Sequence, residues 1–337
     1  MPEEIRDAVR AELPRTRQIG PIAGLMRFLT MNRPLQIALA AVAAVAVSLA
    51  ALSALSPRIG SEPTPTENPS VDLGIFAPVA GRIVYGDPYG IWGVDPAGPA
   101  DPVARIQLSS ETGTPLGWSS DGTRLLIMRG SPGEEALLIL DADGSETQLP
   151  GVPGASDFAA ISPDGSRVVF GRATSGAGSA VYAVDAEGGH VEMLRDAAVA
   201  ELAFSPDGTQ IAYVDWGRGD SEHPVWLMDA DGGDAHQIVS NEVTAGGHVR
   251  GLSWSPTGDQ IALGLEGAIY TFAADGSGFT RVIDGVWPYW SPDGSQIAYL
   301  FGFSSNWTTG SLAIADADGS NVLTFGFGYS GPWHPGG

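Results

Sequence analysis

Short apolar runs separated by polar turns occupy the chain from about residue 75 to its end. Residues 125–128 form one such run, residues 136–140 form the next, and Asp, Gly, Ser and Pro stand between them. Runs of four to six apolar residues with these boundaries are typical of β-strands, because amphipathic helices need longer segments with a 3.6-residue period. The pattern therefore predicts an all-β domain.

One turn motif recurs between the runs. Ser-Pro-Asp-Gly follows an apolar or aromatic residue and precedes a strand, with complete copies starting at Ser162, Ser205 and Ser291 and weaker copies starting at Ser119 and Ser255. Proline presets φ at the second turn position, aspartate can bond its own backbone, and glycine accepts the left-handed conformation. We assign structural turn roles to the motif aspartates Asp121, Asp164, Asp207 and Asp293. We also expect the apolar residue before each serine to end the innermost strand of a repeat.

A second turn, Asp-Ala-Asp-Gly or a close variant, closes the following pair of strands, for example at residues 229–232. The two turns recur every 36 to 50 residues, so each period supplies four short strands, which is the pattern of a propeller blade. A degraded copy at residues 77–81 and a final half-copy at Trp333 bring the number of blades to six. We predict a six-bladed β-propeller of four-stranded blades over residues 76–337.

These repeats resemble the WD-like propeller repeats of the TolB family. The resemblance lies in W-S-P-D-G, then I-A-Y or I-A-F, then an aromatic strand that ends in D-A-D-G. It implies six blades, with residues 328–333 supplying the inner strand of the first blade so that the ring has no free edge. Members of the family serve as periplasmic or cell-surface binding scaffolds, as sensor domains and as non-catalytic propellers attached to peptidases. Ahead of the repeats the chain departs from TolB, which carries an amino-terminal α/β domain there.

One longer apolar segment precedes the repeats. No charged residue lies between Arg33 and Arg58, and residues 34–56 are long enough to cross a bilayer as a single helix. Arginines accumulate on its amino-terminal side, which predicts a cytoplasmic tail at residues 1–33 and an extracytoplasmic propeller in the cell membrane. The alternative is a cleaved signal peptide, since residues 48–50 have the small-x-small form of a cleavage site. Residues 57–75 are rich in Pro, Ser, Thr and Glu and are predicted to form a stalk.

The residue composition excludes several classes of chemistry and of partner. The chain has no cysteine, and arginine is its one basic residue type apart from histidine, which excludes disulfides, thiolate chemistry and lysine-dependent catalysis. The first 60 residues carry seven arginines and four acidic residues, whereas the rest carries ten arginines and 35 acidic residues. Such an acidic domain repels nucleic acid, so we expect no nucleic-acid partner. We expect a monomeric propeller.

Candidate binding residues lie in the connections opposite the regular turns, because these connections vary in length and loops on a rigid frame carry most binding residues. Aromatic and chargeable side chains are concentrated there, and such types dominate interface energies. The candidates, which we place in these connections or at the mouth of the channel, are Trp216, Arg218, Asp220, His223, His248, Arg250, Trp287 and Trp307. Tyr289 is expected at the mouth of the channel beside them.

The sequence gives no signal for chemistry. It contains no His-Glu-x-x-His metal motif and no Gly-x-Ser-x-Gly nucleophile elbow, and the Asp-x-Asp-Gly turns lack the further ligands of a calcium loop. We therefore expect no cofactor, no metal and no catalytic residue, and we predict a membrane-anchored scaffold that binds a protein, a peptide or a glycan. Two alternatives are open: a transmembrane sensor or anti-sigma-like regulator that signals through the amino-terminal tail, and a propeller hydrolase with a channel metal.

Overall fold

The computed structural model describes residues 74–97, 105–131, 134–150, 155–173, 179–216, 223–244, 247–302, 310–328 and 331–335. The predicted tail, membrane segment and most of the stalk lie outside these residues. Within the described ranges, no helix has both the length and the apolar character needed to cross a membrane.

The described strands form six antiparallel sheets, which we number as blades in chain order. Blade 1 contains β1 (Ile83–Asp87), β2 (Gly90–Val94) and β3 (Ile106–Ser109), and blade 2 contains β4 (Thr114–Trp118), β5 (Arg124–Arg129), β6 (Ala136–Asp141) and β7 (Glu146–Gln148). Blade 3 contains β8 (Ala155–Ile161), β9 (Arg167–Ala173), β10 (Ser179–Asp185) and β11 (Val191–Arg195). Blade 4 contains β12 (Val199–Phe204), β13 (Gln210–Asp215), β14 (Val225–Asp229) and β15 (His236–Val239).

The last two blades have the same plan. Blade 5 contains β16 (Val249–Trp254), β17 (Gln260–Leu265), β18 (Ala268–Ala273) and β19 (Thr280–Asp284), and blade 6 contains β20 (Val286–Trp290), β21 (Gln296–Phe301), β22 (Gly310–Asp316) and β23 (Leu323–Gly328). A one-turn helix, α1 (Asn241–Thr244), connects blades 4 and 5, and a 3-10 turn (Ala77–Val79) precedes β1. The predicted all-β propeller with six blades is confirmed.

The first strand of each complete blade is the innermost. It ends at the residue before the motif serine, as expected: β4 ends at Trp118, β12 at Phe204 and β20 at Trp290. The other strands follow outward in chain order. This order arises because each tight turn joins two neighbouring strands, so every blade is a simple meander.

The hydrophobic core lies between the blades. Each of six clusters of buried side chains joins two neighbouring blades; one of them packs Val181 and Ala183 of blade 3 against Ile211 and Tyr213 of blade 4. Burial between blades removes apolar surface from water without filling the centre of the ring. The axis of the propeller is therefore left as a channel lined by the inner strands.

The carboxyl-terminal residues close the ring. Trp333 forms an antiparallel bridge with Ile83, and the Val84 N–H donates to the carbonyl oxygen of Pro332 at 3.0 Å. Blade 1 thus obtains its innermost strand from the other end of the described chain. The expected segment 328–333 is corrected in one respect: Gly328 ends β23, the outer strand of blade 6, and the bridge is centred on Trp333.

The motif turns hold their aspartates with hydroxyl groups. The Ser205 hydroxyl donates to Asp207 Oδ1 at 2.6 Å, and the Gln210 N–H donates to Ser205 Oγ at 3.0 Å. The same serine–aspartate distance recurs at Asp121, Asp164 and Asp293. Each of the four aspartates therefore accepts a hydrogen bond within its own turn.

Candidate functional site

The two kinds of connection lie on opposite faces of the propeller. Because each blade is an antiparallel meander, the turn after its first strand and the turn after its third strand share one face, which we call the motif face. The connections after the second and fourth strands lie on the other face, which we call the loop face. Residues 216, 223 and 247–248 belong to loop-face connections.

A bulge interrupts each inner strand of blades 2 to 6 on the loop-face side. The strand pairing shifts register between Pro115 and Gly117, between Ala155 and Ala159, between Val199 and Glu201, between Val249 and Leu252, and between Val286 and Tyr289. A bulge inserts a residue and turns the next side chains away from the regular alternation. In blades 5 and 6 the inserted residues include Arg250 and Trp287.

These inner strands and loops surround a cavity of about 400 Å³. Five of the eight predicted binding residues line it: Trp216, His223, His248, Arg250 and Trp287. The other three, Arg218, Asp220 and Trp307, lie outside the described residues. We call this space the upper cavity; it is bounded mainly by blades 4, 5 and 6.

Trp216 and His223 form an aromatic pair on one side of the upper cavity. Their ring centroids lie 5.8 Å apart, and Trp216 keeps 46% of its surface exposed whereas His223 keeps 5%. Burial, with a smaller contribution from His248, lowers the pKa of His223, so its ring is neutral at pH 7. Its Nδ1 atom is buried and has no hydrogen-bond partner within the described part of the chain. The pair offers an exposed aromatic surface beside a buried polar atom.

Arg250 and Trp287 form a second pair. The guanidinium carbon of Arg250 lies 5.6 Å from the centroid of the Trp287 ring, a cation–π distance. Trp287 has a φ of 49°, in the left-handed region that large residues rarely adopt. Neighbouring Gly251 has a φ of 90°, and a Cβ atom there would come within 2.5 Å of Trp287 Cα. Close backbone packing between blades 5 and 6 therefore fixes where Trp287 stands.

Glu201 is a cavity residue that the sequence did not suggest. It lies on β12, and its Oε1 accepts a hydrogen bond of 2.8 Å from the N–H of Gly251 in blade 5. Burial, and then the nearby Glu201 carboxylate, raises the pKa of Tyr289 well above its ordinary value. The available signal was a single carboxylate within the apolar run of β12, since such a charge needs a partner when it faces a channel.

His248 is held through its backbone. Its N–H donates to Glu266 Oε1 at 2.6 Å, and Glu266 has a φ of 51° at the tip of the β17–β18 hairpin. The carboxylate of the hairpin therefore anchors the connection that enters β16. This anchoring gives the loop face a fixed frame beside the upper cavity.

The chemistry of the upper cavity favours binding. It combines aromatic faces, one guanidinium group, one carboxylate and two imidazoles on a mainly apolar wall. Among the described residues, no group of three or more His, Asp or Glu side chains is placed to hold a metal ion. An apolar pocket with a few convergent polar groups is the usual form of a ligand site.

Comparison with solved structures identifies the fold. The putative TolB of Agrobacterium tumefaciens is 24% identical, and the match covers 68% of this chain and 88% of that one with a TM-score of 0.57. TolB of Acinetobacter baumannii is 17% identical, and the match covers 77% of this chain and 67% of that one with a TM-score of 0.62. The chain has a TolB-type propeller fold.

A third similar structure is a chain of the nidogen/laminin complex. It is 12% identical, and the match covers 73% of this chain and 93% of that one with a TM-score of 0.55. No protein-family model and no curated protein matches the chain. The similarity to TolB structures agrees with the resemblance of the repeats.

Proposed function

We propose that this protein is a membrane-anchored, extracytoplasmic scaffold that binds a partner protein on the loop face of its propeller. A segment of the partner enters the upper cavity, where its side chains pack on Trp216 and Trp287. The protein acts by binding and carries out no reaction.

The observation that carries this proposal is the composition of the upper cavity. Trp216, His223, His248, Arg250 and Trp287 come from four separate connections or strands, and they line one space. Tryptophan and arginine are enriched among the residues that dominate protein interfaces. The ring of six blades holds these side chains in place before a partner binds, which lowers the entropic cost of binding.

A protein partner is preferred over a glycan for two reasons. The wall of the upper cavity is mostly apolar, with side chains such as Leu116, Leu202 and Leu252 below the aromatic residues. One of the similar structures is that of a protein complex. An apolar wall suits the hydrophobic side chains of a polypeptide better than the hydroxyl groups of a sugar.

The proposed anchor is residues 34–56. Its support is the uncharged apolar stretch between Arg33 and Arg58, together with the arginines on its amino-terminal side. Fractionation of cells that produce the full chain tests it: the protein should stay with the membrane after a high-salt wash. Recovery of a soluble form that starts at Ala51 would show that a signal peptide is removed there.

Partner capture with the full chain in mild detergent tests the binding site. We would compare the unchanged protein with the variant Trp216→Ala/Trp287→Ala and with the control variant Met193→Ala/Leu323→Ala, whose two exposed side chains stand on outer strands and line neither space of the channel. The proposal expects proteins that are retained by the unchanged chain and by the control but lost with the loop-face variant. Binding of one isolated partner would then be measured with each variant.

Two outcomes would contradict the proposal. Partners that remain bound to the Trp216→Ala/Trp287→Ala variant would place the interface elsewhere. Specific binding to a glycan array, with loss of binding in the same variant, would keep the site but replace the protein by a sugar.

A further inference from the structure

The motif face contains a second space that the proposed function does not use. A chamber of about 500 Å³, which we call the lower chamber, is lined by the ends of the inner strands and by the motif prolines. Aromatic or branched residues stand before the turns, namely Trp118, Ile161, Phe204, Trp254, Trp290 and Trp333. Prolines from five blades form its rim: Pro163, Pro206, Pro256, Pro292 and Pro335.

An apolar ring separates the lower chamber from the upper cavity. Five residues line both spaces, one from each of blades 2 to 6: Leu116, Ala159, Leu202, Leu252 and Tyr289. The two spaces therefore meet at one level of the channel and open on opposite faces.

The tryptophans of the lower chamber fall into two groups. The Nε1 atoms of Trp254 and Trp333 donate to carbonyl oxygens of the preceding blades. By contrast, Trp118 Nε1, Trp290 Nε1 and Ser253 Oγ are buried without a hydrogen-bond partner in the part of the chain that the structure describes. Buried polar groups are rarely left in this state, so each of these atoms calls for an explanation. Three such atoms lie on residues that line one chamber.

Negatively charged side chains lie next to residues that line this chamber. The motif aspartates of blades 3, 4 and 6 directly follow prolines of the rim, and blade 5 adds Asp259. Hydrogen bonds from the motif serines, followed by bonds from the next hydroxyl and amide groups, lower the pKa values of Asp164, Asp207 and Asp293. These carboxylates therefore remain ionised at pH 7. Carboxylates around a cleft with apolar walls concentrate their field within it and attract cations.

We propose that the motif face binds a basic, extended segment of a partner protein, one arginine or lysine side chain of which enters the lower chamber. The cation is held over the indole rings of the chamber and faces the surrounding carboxylates. The partner is identified by charge complementarity, because aromatic walls inside an acidic rim match a cationic side chain on an apolar stem.

The test uses the full chain in detergent and two short synthetic peptides. One peptide alternates arginine and proline, since proline keeps it extended, and the other replaces arginine by glutamate. Titration calorimetry should show binding of the basic peptide at one site and no binding of the acidic peptide. Binding should weaken with added salt, because the charges around the opening are exposed to solvent.

Two triple variants with equal net charge separate the lower chamber from general attraction to an acidic protein. In the first, Asp164, Asp207 and Asp293 become asparagine, which keeps a side-chain oxygen for the turn. In the second, Glu134, Asp196 and Asp284, which are exposed on the loop-face side, become their amides. The proposal expects the first variant to bind the basic peptide at least about tenfold more weakly and the second to bind it as the unchanged protein does. Equal loss in both variants would overturn it.

The variant Trp290→Leu tests the aromatic wall at constant charge. Loss of a cation–π contact predicts binding weaker by about tenfold. Circular dichroism and thermal unfolding show whether the variant is folded, and if it is not, the milder variant Trp290→Phe takes its place, for which a smaller loss is expected. Unchanged affinity in a folded Trp290→Leu variant would show that the cation does not enter the lower chamber. Neither result depends on whether the loop face binds its own partner.

Discussion

Trp333 and Ile83 pair across an antiparallel bridge and join the two ends of the described chain. The Trp333 indole Nε1 also donates to the carbonyl oxygen of Tyr289 at 3.1 Å, so one side chain contacts blades 1 and 6 together. Only 8% of the surface of Trp333 is exposed, and the residue belongs to the hydrophobic cluster between these blades. The ring is thus closed by backbone pairing and by burial of one large aromatic residue.

Replacement of Trp333 by alanine should destabilise the propeller strongly. Removal of a buried tryptophan leaves a cavity and typically lowers the free energy of unfolding by about 3–5 kcal/mol. Chemical denaturation followed by circular dichroism measures this loss. Trp216→Ala is the matched control. Trp216 is 46% exposed, so its replacement should lower the free energy of unfolding much less. Equal losses in the two variants would contradict the proposed role of Trp333 in closure.

Ser205→Ala should lower stability more than Ser253→Ala. The buried Ser205 hydroxyl donates to Asp207 and accepts from the Gln210 N–H, and loss of hydrogen bonds to a charged group costs about 1–3 kcal/mol. Ser253 Oγ has no partner among the described residues, so its removal should change the free energy of unfolding by about 0.5 kcal/mol or less. The two midpoints of denaturation give the comparison. A larger effect at Ser253 would show that its hydroxyl has a structural partner.

Stability should fall as the pH drops below about 6.5, the ordinary pKa of histidine. Burial lowers the pKa of His334 in the folded state, and the hydrogen bond to the Gly122 carbonyl and the charge of Asp121 oppose this only in part. At pH values between the pKa of His334 in the folded state and its pKa in the unfolded state, the histidine is protonated more fully in the unfolded chain. Acidification therefore favours unfolding. His334→Gln should reduce the decrease in the free energy of unfolding between neutral and mildly acidic pH.

The unchanged protein, measured at the same pH values, provides the reference for this pH dependence. The buried His223 also has a lowered pKa, so a residual decrease is expected in the His334→Gln variant. An identical pH profile for the unchanged protein and His334→Gln would argue against a contribution from His334.

Gly251→Ala should damage the upper cavity more than Gly267→Ala. Both glycines have positive φ, where a Cβ atom costs about 1–2 kcal/mol, but only Gly251 lies against Trp287. At Gly267 the added atom would meet nothing within 4 Å. Gly251→Ala should therefore be less stable in denaturation and should shift the fluorescence of the cavity tryptophans. Equal behaviour of the two variants would mean that the contact with Trp287 is relaxed at little cost.

Local signals account for the part of the fold that was predicted. The motif turns act within five residues, as the bond between Ser205 and Asp207 shows, so each can be recognised in isolation. Blade 5 departs from this local pattern. Thr257 stands at the position of the motif aspartate, and the Ser255 hydroxyl donates instead to Asp259 Oδ1 at 3.0 Å. The sequence did not mark Asp259 as a turn residue, because its role depends on an alternative partner two positions further on.

The candidate site was predicted in part. The loop-face location of Trp216, His223, His248, Arg250 and Trp287 followed from the alternation of regular and variable connections. Glu201 was missed, because its side chain meets Gly251 of the next blade across 50 positions of sequence. The roles of Arg218, Asp220 and Trp307 stay predictions.

The sequence by itself determined the strands, the turns, the number of blades and the closure at Trp333, because propensity, turn geometry and a repeated period are properties of short segments. Only the tertiary structure decided which side chains share a cavity. Bulges in the inner strands turn Arg250 and Trp287 toward the channel, and packing between blades places Glu201 beside Gly251. Such contacts join residues from different blades, and no local pattern encodes them.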